Sequence, residues 1–175
     1  VAVAVAVGVG VIVGVEVARP RMVRRQENPD DFGRRLAGQQ ISAVNRHGKF
    51  LMTELANEIV WVTHLGMSGR ISLVDASEPR VAHSNVVISL DSGIEFRFVD
   101  PRTFGFVVAM TSDELDASSM AKLGPDALNE LPSTKTLLAL LAGRQAPMKA
   151  LLLDQTVIAG IGNIYADESL HRAGI

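Results

Sequence analysis

The sequence predicts an α+β fold in which the strands come first and the helices second. Short segments between residues 11 and 110 alternate apolar with polar residues, and a period of two is typical of strands. After Thr111 the alternation stops, and segments of helical composition punctuated by prolines follow. Strands and helices that are segregated along a chain favour α+β over a parallel α/β sheet.

The predicted strands are bounded by turn residues. Asp91-Ser92-Gly93 is a hairpin signal between two strands, and Gly48 lies near the turn between two others. The expected strands are about Val11 to Val17, two strands within QQISAVNRHGKFLMTEL, then EIVWVTHL, ISLV, NVVISL, IEFRFV and Phe106 to Met110.

The helices follow from start and stop signals. Asn28, with a proline and two aspartates after it, predicts the start of a helix that Gly38 closes. The arginine-rich segment before it is expected to be a strand end and a basic loop. Later helices are predicted over Ser112 to Ala117, Thr134 to Ala142, Pro147 to about Leu153, and about Asn163 to Ala173, with Asn163 as N-cap.

Charge is unevenly distributed, although the net charge is only −2. Residues 19–49 carry eight Lys and Arg residues against three acidic residues. Such a basic block could follow the phosphates of a nucleic acid. A solvated protein face is the simpler interpretation of the charges taken alone.

The first 15 residues are Val, Ala, Gly and Ile only. This tract is shorter than the ~20 residues of a membrane span, and it lacks the basic region of a signal peptide. We expect a native strand only in its last part. The chain has no Cys, which excludes disulfides and Cys-ligated zinc, and its four His are far apart, so no metal site is expected.

Two tight turns offer large side chains that could enter a base stack. HLGMSG (64–69) presents Met67, and DPRTFG (100–105) presents Arg102 and Phe104. A thioether, a guanidinium and a phenyl ring on rigid turns suit a wedge that fills the gap left by an everted base. The alternative is that Met67 and Phe104 are core residues and that Arg102 pairs with Asp100.

These turns, followed by GIGNIYADE (160–168), resemble the formamidopyrimidine-DNA glycosylase and endonuclease VIII family of base-excision repair enzymes. RHGKFL (46–51) precedes the two turns, His83-Ser84-Asn85 lies between them, and LGPDAL (123–128) follows them, all in family order. The resemblance is closest to the bacterial formamidopyrimidine-DNA glycosylases. It implies an antiparallel β-sandwich core, here residues 1–131, followed by the start of a helix–two-turn–helix DNA-binding domain over residues 132–175.

The resemblance also implies roles for individual residues. Lys49 is expected to contact DNA and to assist strand cleavage, and the wedge would comprise Met67, Arg102 and Phe104. The expected DNA-binding residues are His83, Arg102, Arg144, Lys149 and Asn163. Each has an ordinary alternative as a surface or packing residue.

Asn163 has more than one possible role, and Tyr165, Glu168, His47 and His64 are expected to be structural or surface residues. Asn163 could bind phosphate at a helix N-terminus, act as a plain N-cap, or do both. Tyr165 is expected to be a packing residue, Glu168 a helix-surface residue, and His47 and His64 structural.

The implied function is excision of oxidised purines such as 8-oxoguanine and formamidopyrimidine, with AP-lyase cleavage of the strand. Family members start with Pro-Glu, the nucleophile and its acid–base partner, and usually hold one structural zinc ion in a C-terminal finger. This sequence begins VAVAVAVGVG and contains neither feature. We therefore expect the chain as given to be inactive and to need no cofactor itself.

Two alternatives remain open at this point. The chain could be an inactive module that binds damaged or abasic duplex DNA, or a truncated product that does not fold stably. The expected partner is double-stranded DNA with oxidised bases or abasic sites, and no membrane. We expect a monomer at the nucleoid of the bacterial cytoplasm.

Overall fold

The computed structural model describes residues 10–175 of the protein. These residues form two compact units, one of residues 10–46 with 50–115 and one of residues 47–49 with 116–175. The predicted domain boundary after residue 131 lies within the second unit. The first part of the predicted N-terminal tract, residues 1–9, lies outside the described residues.

The first unit contains one antiparallel sheet in the strand order β1-β6-β7-β5. Its strands are β1 (Ile12–Val17), β5 (Arg70–Asp75), β6 (Ser84–Leu90) and β7 (Ile94–Val99). The hairpin between β6 and β7 turns at Gly93, whose φ of +80° requires glycine. The sequence predicted this hairpin and the strand at the start of the chain, and both predictions are confirmed.

A second sheet has the strand order β2-β3-β4-β8. Its strands are β2 (Ile41–His47), β3 (Phe50–Leu55), β4 (Val60–His64) and β8 (Phe106–Met110), and the β3–β4 and β4–β8 pairs are antiparallel. Every strand that the sequence predicted is therefore present.

The two sheets pack face to face around one apolar core. Trp61 on β4 meets Phe96 on β7 edge-on, with 4.7 Å between the ring centroids, and both are buried. Helix α1 (Pro29–Leu36) adds Phe32 and Leu36 to the same core. Because the inward residues of both sheets share this core, the predicted β-sandwich is confirmed.

Helix α1 begins where the sequence predicted. Asn28 is its N-cap, and the Asn28 side chain accepts a hydrogen bond of 3.1 Å from the Asp30 N–H. The preceding arginine-rich segment differs from the prediction, because Pro20–Val23 form a short 3-10 helix instead of a loop. Its apolar pair, Met22 and Val23, is buried in the core, and this burial favours the regular turn.

Four more α-helices and a short 3-10 helix (Ser119–Lys122) follow the strands in the described residues. The α-helices are α2 (Ser112–Ala117), α3 (Thr134–Leu141), α4 (Met148–Leu153) and α5 (Asn163–Ala173). The α+β order is thus confirmed. The prediction that Asn163 is an N-cap is wrong. Gly162, in an extended conformation, is the N-cap, and Asn163 is the first helical residue.

Within residues 10–175, no helix combines the length and apolar character needed to cross a membrane.

Candidate functional site

In the first unit, the turns 64–69 and 100–105 touch each other through their backbones. A Cβ atom on Gly66 would lie 2.6 Å from the Gly105 nitrogen, and Gly66 has a φ of +66°. A Cβ atom on Gly105 would lie 2.5 Å from the Phe98 ring. Both positions therefore require glycine, and the two turns form one rigid ledge.

The carboxylate of Asp100 ties this ledge together. Asp100 is fully buried. One carboxylate oxygen accepts hydrogen bonds from the Ser68 hydroxyl at 2.6 Å and from the Arg102 N–H at 3.2 Å. The other accepts the Gly105 N–H at 2.8 Å. One side chain thus holds both turns.

These contacts decide the protonation state of Asp100. Burial by itself raises the pKa of the Asp100 carboxyl, but the hydrogen bonds from Ser68 and from the Gly105 and Arg102 N–H groups outweigh burial. The pKa of Asp100 therefore lies below its usual value. The carboxylate remains charged and keeps its donors at neutral pH.

The three candidate wedge residues lie on the outside of the ledge. Met67 is 75% exposed and Phe104 is 44% exposed. The Arg102 guanidinium carbon lies 4.5 Å from the centroid of the Phe104 ring, in cation–π contact. Arg102 meets the Asp100 carboxylate through its backbone N–H. The alternative in which Met67 and Phe104 are core residues therefore does not describe this unit.

His83 lies on the connection before β6 and is exposed, with a φ of +65° that is uncommon for a residue other than glycine. Its carbonyl accepts the Asp100 N–H at 3.0 Å. Asn85 is buried and donates its side-chain amide to the Asp100 carbonyl at 2.6 Å. Asn85 therefore anchors the segment that carries His83.

Much of the basic block is engaged within the first unit. The Arg25 guanidinium carbon lies 4.1 Å from the centroid of the Phe106 ring. Arg34 pairs with Asp31, and Arg35 pairs with Glu114. Arg35 also donates a hydrogen bond to the Ala109 carbonyl at 2.9 Å. These contacts leave the two interpretations of the block open, because arginines that are paired within the protein are neither free for phosphates nor simply solvated.

In the second unit, a buried carboxylate shapes the turn before Lys49. Asp126 accepts the Gly48 N–H at 2.6 Å and the N–H groups of Leu128 and Asn129 at 3.0 Å each. Gly48 has a φ of +56°, and a Cβ atom there would lie 3.0 Å from the side chain of Ala159. Glycine at this position lets the Lys49 turn approach the segment before α5.

The segment before α5 is held by one amide side chain. Gln155 accepts the Gly160 N–H at 3.0 Å and donates to the Ile161 carbonyl at 3.0 Å. Gly160 has a φ of +105°. Asn163 is exposed, and its side chain makes no capping bond, so the plain N-cap role is wrong. Its amide and the first N–H groups of α5 are available to a ligand.

The Lys49 ammonium lies beside the N-terminus of α5. A Cβ atom on Gly162 would lie 3.7 Å from the Lys49 Nζ. Although Lys49 is exposed as a whole, neighbouring atoms partly desolvate its ammonium and lower its pKa. A helix N-terminus carries about half a positive charge. Two positive groups converge here, and an anion is the complementary ligand.

Arg144 and Lys149 each have a carboxylate partner in the second unit. Arg144 lies 3.0 Å from a carboxylate oxygen of Asp154, and Lys149 lies 2.7 Å from one of Asp167. All four side chains are substantially exposed. Exposed pairs of this kind are worth about 0–1 kcal/mol, so either cation exchanges its partner at small cost.

The two histidines that were predicted to be structural make structural contacts. His47 Nε2 lies 3.0 Å from the Gly124 carbonyl oxygen, and the ring of His64 stacks on Phe106. The prediction that Tyr165 packs is wrong for the described residues, since Tyr165 is 73% exposed. Residues 10–175 contain no group of three or more His, Asp or Glu side chains placed to share a metal ion.

Sequence reasoning missed the residues that hold these loops. Asp100 and Asp126 belong to quoted motifs, so motif membership was a signal for both. No local pattern marked Gln155, whose partners lie five and six residues away, or Arg24, whose partners lie about 80 residues away.

The two packed sheets form a β-sandwich, and the helices that follow them in the sequence include a helix–two-turn–helix element. The model of the formamidopyrimidine-DNA glycosylase N-terminal domain matches residues 4–107. The model of the formamidopyrimidine-DNA glycosylase H2TH domain matches residues 123–175. The chain belongs to the formamidopyrimidine-DNA glycosylase family.

Individual relatives agree with this assignment. The formamidopyrimidine-DNA glycosylase of Moorella thermoacetica is 42% identical over 165 residues, which cover 94% of this chain and 60% of that protein. The Geobacillus kaustophilus enzyme is 39% identical, with the same coverage. The chain thus spans about 60% of the length of these curated relatives.

Solved structures show the same fold. The Lactococcus lactis formamidopyrimidine-DNA glycosylase bound to DNA with an AP site has a TM-score of 0.85 and 28% identity, and the match covers 97% of this chain and 64% of that one. Its complex with DNA containing Fapy-dG has a TM-score of 0.83 and 26% identity, with coverage of 97% and 63%.

The buried Asp100 carboxylate predicts a specific pH dependence. Because its pKa is lower in the folded protein, its stabilising effect is fully present above its unfolded pKa of about 3.8 and is lost as pH falls through the folded pKa. Asp100→Asn should lower the free energy of unfolding by about 2–4 kcal/mol at pH 7, as expected for hydrogen bonds to a charged group. The difference should shrink below pH 3.8.

Urea denaturation across this pH range measures the effect. Asp116→Asn is the matched control, because Asp116 is exposed, and it should change the free energy by no more than ~0.5 kcal/mol. Equal stability of Asp100→Asn and wild type at pH 7 would contradict the role given to Asp100.

Proposed function

We propose that the protein acts in base-excision DNA repair, as a glycosylase that removes oxidised purines such as 8-oxoguanine and formamidopyrimidine and then cleaves the abasic strand. The observation that carries this proposal is the exposed set Met67, Arg102 and Phe104 on two turns fixed by a buried carboxylate. Membership of the formamidopyrimidine-DNA glycosylase family supports it.

The wedge residues suit the chemistry of base eversion. An enzyme that acts on a base takes it out of the stack and pays an unstacking cost of a few kcal/mol. Phe104 and Met67 offer apolar surface to the neighbouring bases, and the Arg102 fork can donate hydrogen bonds to the orphaned base. Because the turns are already rigid, little ordering entropy is lost on insertion.

The second unit supplies anion-binding groups for the DNA backbone. Lys49 and the N-terminus of α5, with the Asn163 amide, can bind one phosphate. Arg144 and Lys149 can exchange exposed carboxylates for further phosphates. We include His83 among the DNA-binding residues because it is exposed beside the anchored Asn85.

Lys49 also has a proposed part in strand cleavage. Removing a proton from the sugar of an abasic site requires a base near it. The lowered pKa of Lys49 increases the fraction of neutral amine that can accept this proton. The sequence contains no Pro-Glu pair, and the proposal assigns the nucleophile to no described residue.

We also propose a cellular location and an oligomeric state for the protein. The substrate is chromosomal DNA, so we place the activity at the nucleoid of the bacterial cytoplasm, with the protein acting as a monomer. A structural zinc ion in a C-terminal finger stays a prediction from the family resemblance.

If the three residues form a wedge, substituting them should affect the recognition of DNA far more than the stability of the fold. Arg102→Ala should reduce the preference for abasic over intact duplex by roughly ten-fold or more, since a good bidentate contact is worth ~1–3 kcal/mol. Met67→Ala and Phe104→Ala should weaken binding to abasic duplex yet change stability by less than about 1 kcal/mol, because both side chains are exposed.

Fluorescence anisotropy measures the affinities for abasic and intact duplexes, and urea denaturation measures the free energy of unfolding of each variant. If Met67→Ala and Phe104→Ala each lower the free energy of unfolding by ~2–5 kcal/mol, as is typical of core residues, and the abasic preference is unchanged, the wedge interpretation is wrong.

The proposed chemistry predicts a covalent intermediate. Borohydride reduction of the protein on duplex DNA with 8-oxoguanine should trap an adduct, because an amine that displaces the base at the sugar C1′ forms a reducible Schiff base there. Lys49→Ala should slow cleavage at a preformed abasic site about a hundred-fold or more, since general acid–base catalysis typically contributes at least that much. Lys122→Ala, an exposed control, should not. Tight abasic binding without an adduct would favour the alternative of an inactive damage-binding module.

A further inference from the structure

Arg24 holds the carbonyl side of the 100–105 turn. One terminal nitrogen of its guanidinium donates to the Gly105 carbonyl at 2.6 Å, and the other donates to the Phe104 carbonyl at 2.9 Å. The first nitrogen also donates to the Arg21 carbonyl at 2.9 Å. The planar fork of arginine matches two neighbouring acceptors at once.

The turn needs support on this side. Thr103 has a φ of +52°, a region that costs energy for a residue other than glycine and persists only where the surroundings enforce it. The Asp100 carboxylate binds N–H groups of the turn. It offers nothing to the carbonyls of Phe104 and Gly105, which Arg24 binds.

Arg24 is itself mounted on rigid structure. The preceding Met22 and Val23 are 0% and 1% exposed in the core. On the other side, the Gln26 amide pairs with both backbone groups of Ala109 on β8, at 2.9 Å and 3.2 Å. Because the backbone is fixed on both sides of Arg24, the position of its Cα atom is well defined and its side chain extends from a rigid support.

Arg24 is exposed as a residue, but neighbouring atoms partly desolvate its guanidinium. Burial lowers the pKa of the Arg24 guanidinium, and the charges of Arg21 and Arg25 lower it further, while Asp100 opposes them. Three hydrogen bonds from its terminal nitrogens go to protein carbonyls.

We propose that Arg24 is a positioning residue for the wedge, and that it fixes the backbone from which Arg102 and Phe104 project. The wedge itself rests on the function proposed above. Asp100 binds N–H groups of the turn and Arg24 binds its carbonyls, so each wedge side chain starts from one backbone conformation. Displacement of a positioned group by about 1 Å can cost two orders of magnitude in a binding or catalytic step.

Arg24→Lys tests this role, because it keeps the charge and removes the fork. Arg24→Met keeps an unbranched stem and removes the charge as well. Arg172→Lys is the control, since Arg172 is an exposed arginine on α5. Hydrogen exchange at the Arg102, Thr103 and Gly105 amides is measured by NMR without DNA, and affinities for abasic and intact duplex are measured by anisotropy at several salt concentrations.

In both Arg24 variants the hydrogen-exchange rates of these three amides should rise at least about ten-fold. The preference for abasic over intact duplex should fall at least about ten-fold. Affinity for intact duplex and its salt dependence should stay unchanged for Arg24→Lys. Arg172→Lys should match wild type in every measurement.

Three results would overturn the role of Arg24. One is unchanged amide exchange in both variants. Another is a loss of intact-duplex affinity with the abasic preference retained, as for a phosphate contact. The third is global unfolding of both variants, which would make Arg24 a general structural residue. If wild type itself shows no abasic preference, the proposed function fails, and amide exchange still decides the role of Arg24.

Discussion

The buried carboxylate of Asp100 is the interaction on which the candidate wedge depends. A charge in the interior is tolerated only when hydrogen bonds replace its lost hydration, and here Ser68 and two backbone N–H groups do so. Those donors come from two turns that are about 35 residues apart in sequence. Satisfying one charge therefore fixes two turns relative to each other, and Met67 and Phe104 can stay exposed without losing their positions.

The second unit uses the same device on a different loop. Asp126 is buried and accepts three backbone N–H groups, one of which belongs to Gly48. Lys49 follows directly and reaches the N-terminus of α5. In both units a buried carboxylate orders glycine-containing turns, and exposed residues in or directly after those turns are the candidate functional residues. Rigid support of this kind reduces the entropy that binding would otherwise cost.

Local sequence patterns were sufficient for the strands, for most of the helices and for the exposed turn residues. Period-two alternation identifies strands because side chains alternate across a sheet, and Asn28 identifies a helix start through its capping oxygen. Asn163 misled for the same reason. Its side chain is able to cap, but Gly162 takes the extended conformation, so the cap falls one residue earlier.

The supporting contacts could not be predicted in this way. Arg24 binds carbonyls about 80 residues away, and it lies in a run of arginines that is typical of a phosphate-binding surface. The amide of Gln155 holds a loop five and six residues away in a non-repeating geometry. Such contacts depend on tertiary packing, which no periodicity encodes. The candidate functional residues were visible in the sequence, and Asp100 and Asp126 belonged to its motifs, whereas Arg24 and Gln155 had no signal as positioning residues.

The central claim is that Met67, Arg102 and Phe104 form a preformed wedge, and 2-aminopurine fluorescence tests it most directly. The fluorescent base is placed opposite an abasic-site analogue in a duplex, where stacking quenches it. Wild-type protein at saturation should increase the fluorescence, because insertion unstacks the reporter, whereas a variant with alanine at all three positions should leave it quenched even when bound. Equal fluorescence changes with wild type and the triple variant at saturation would contradict the account.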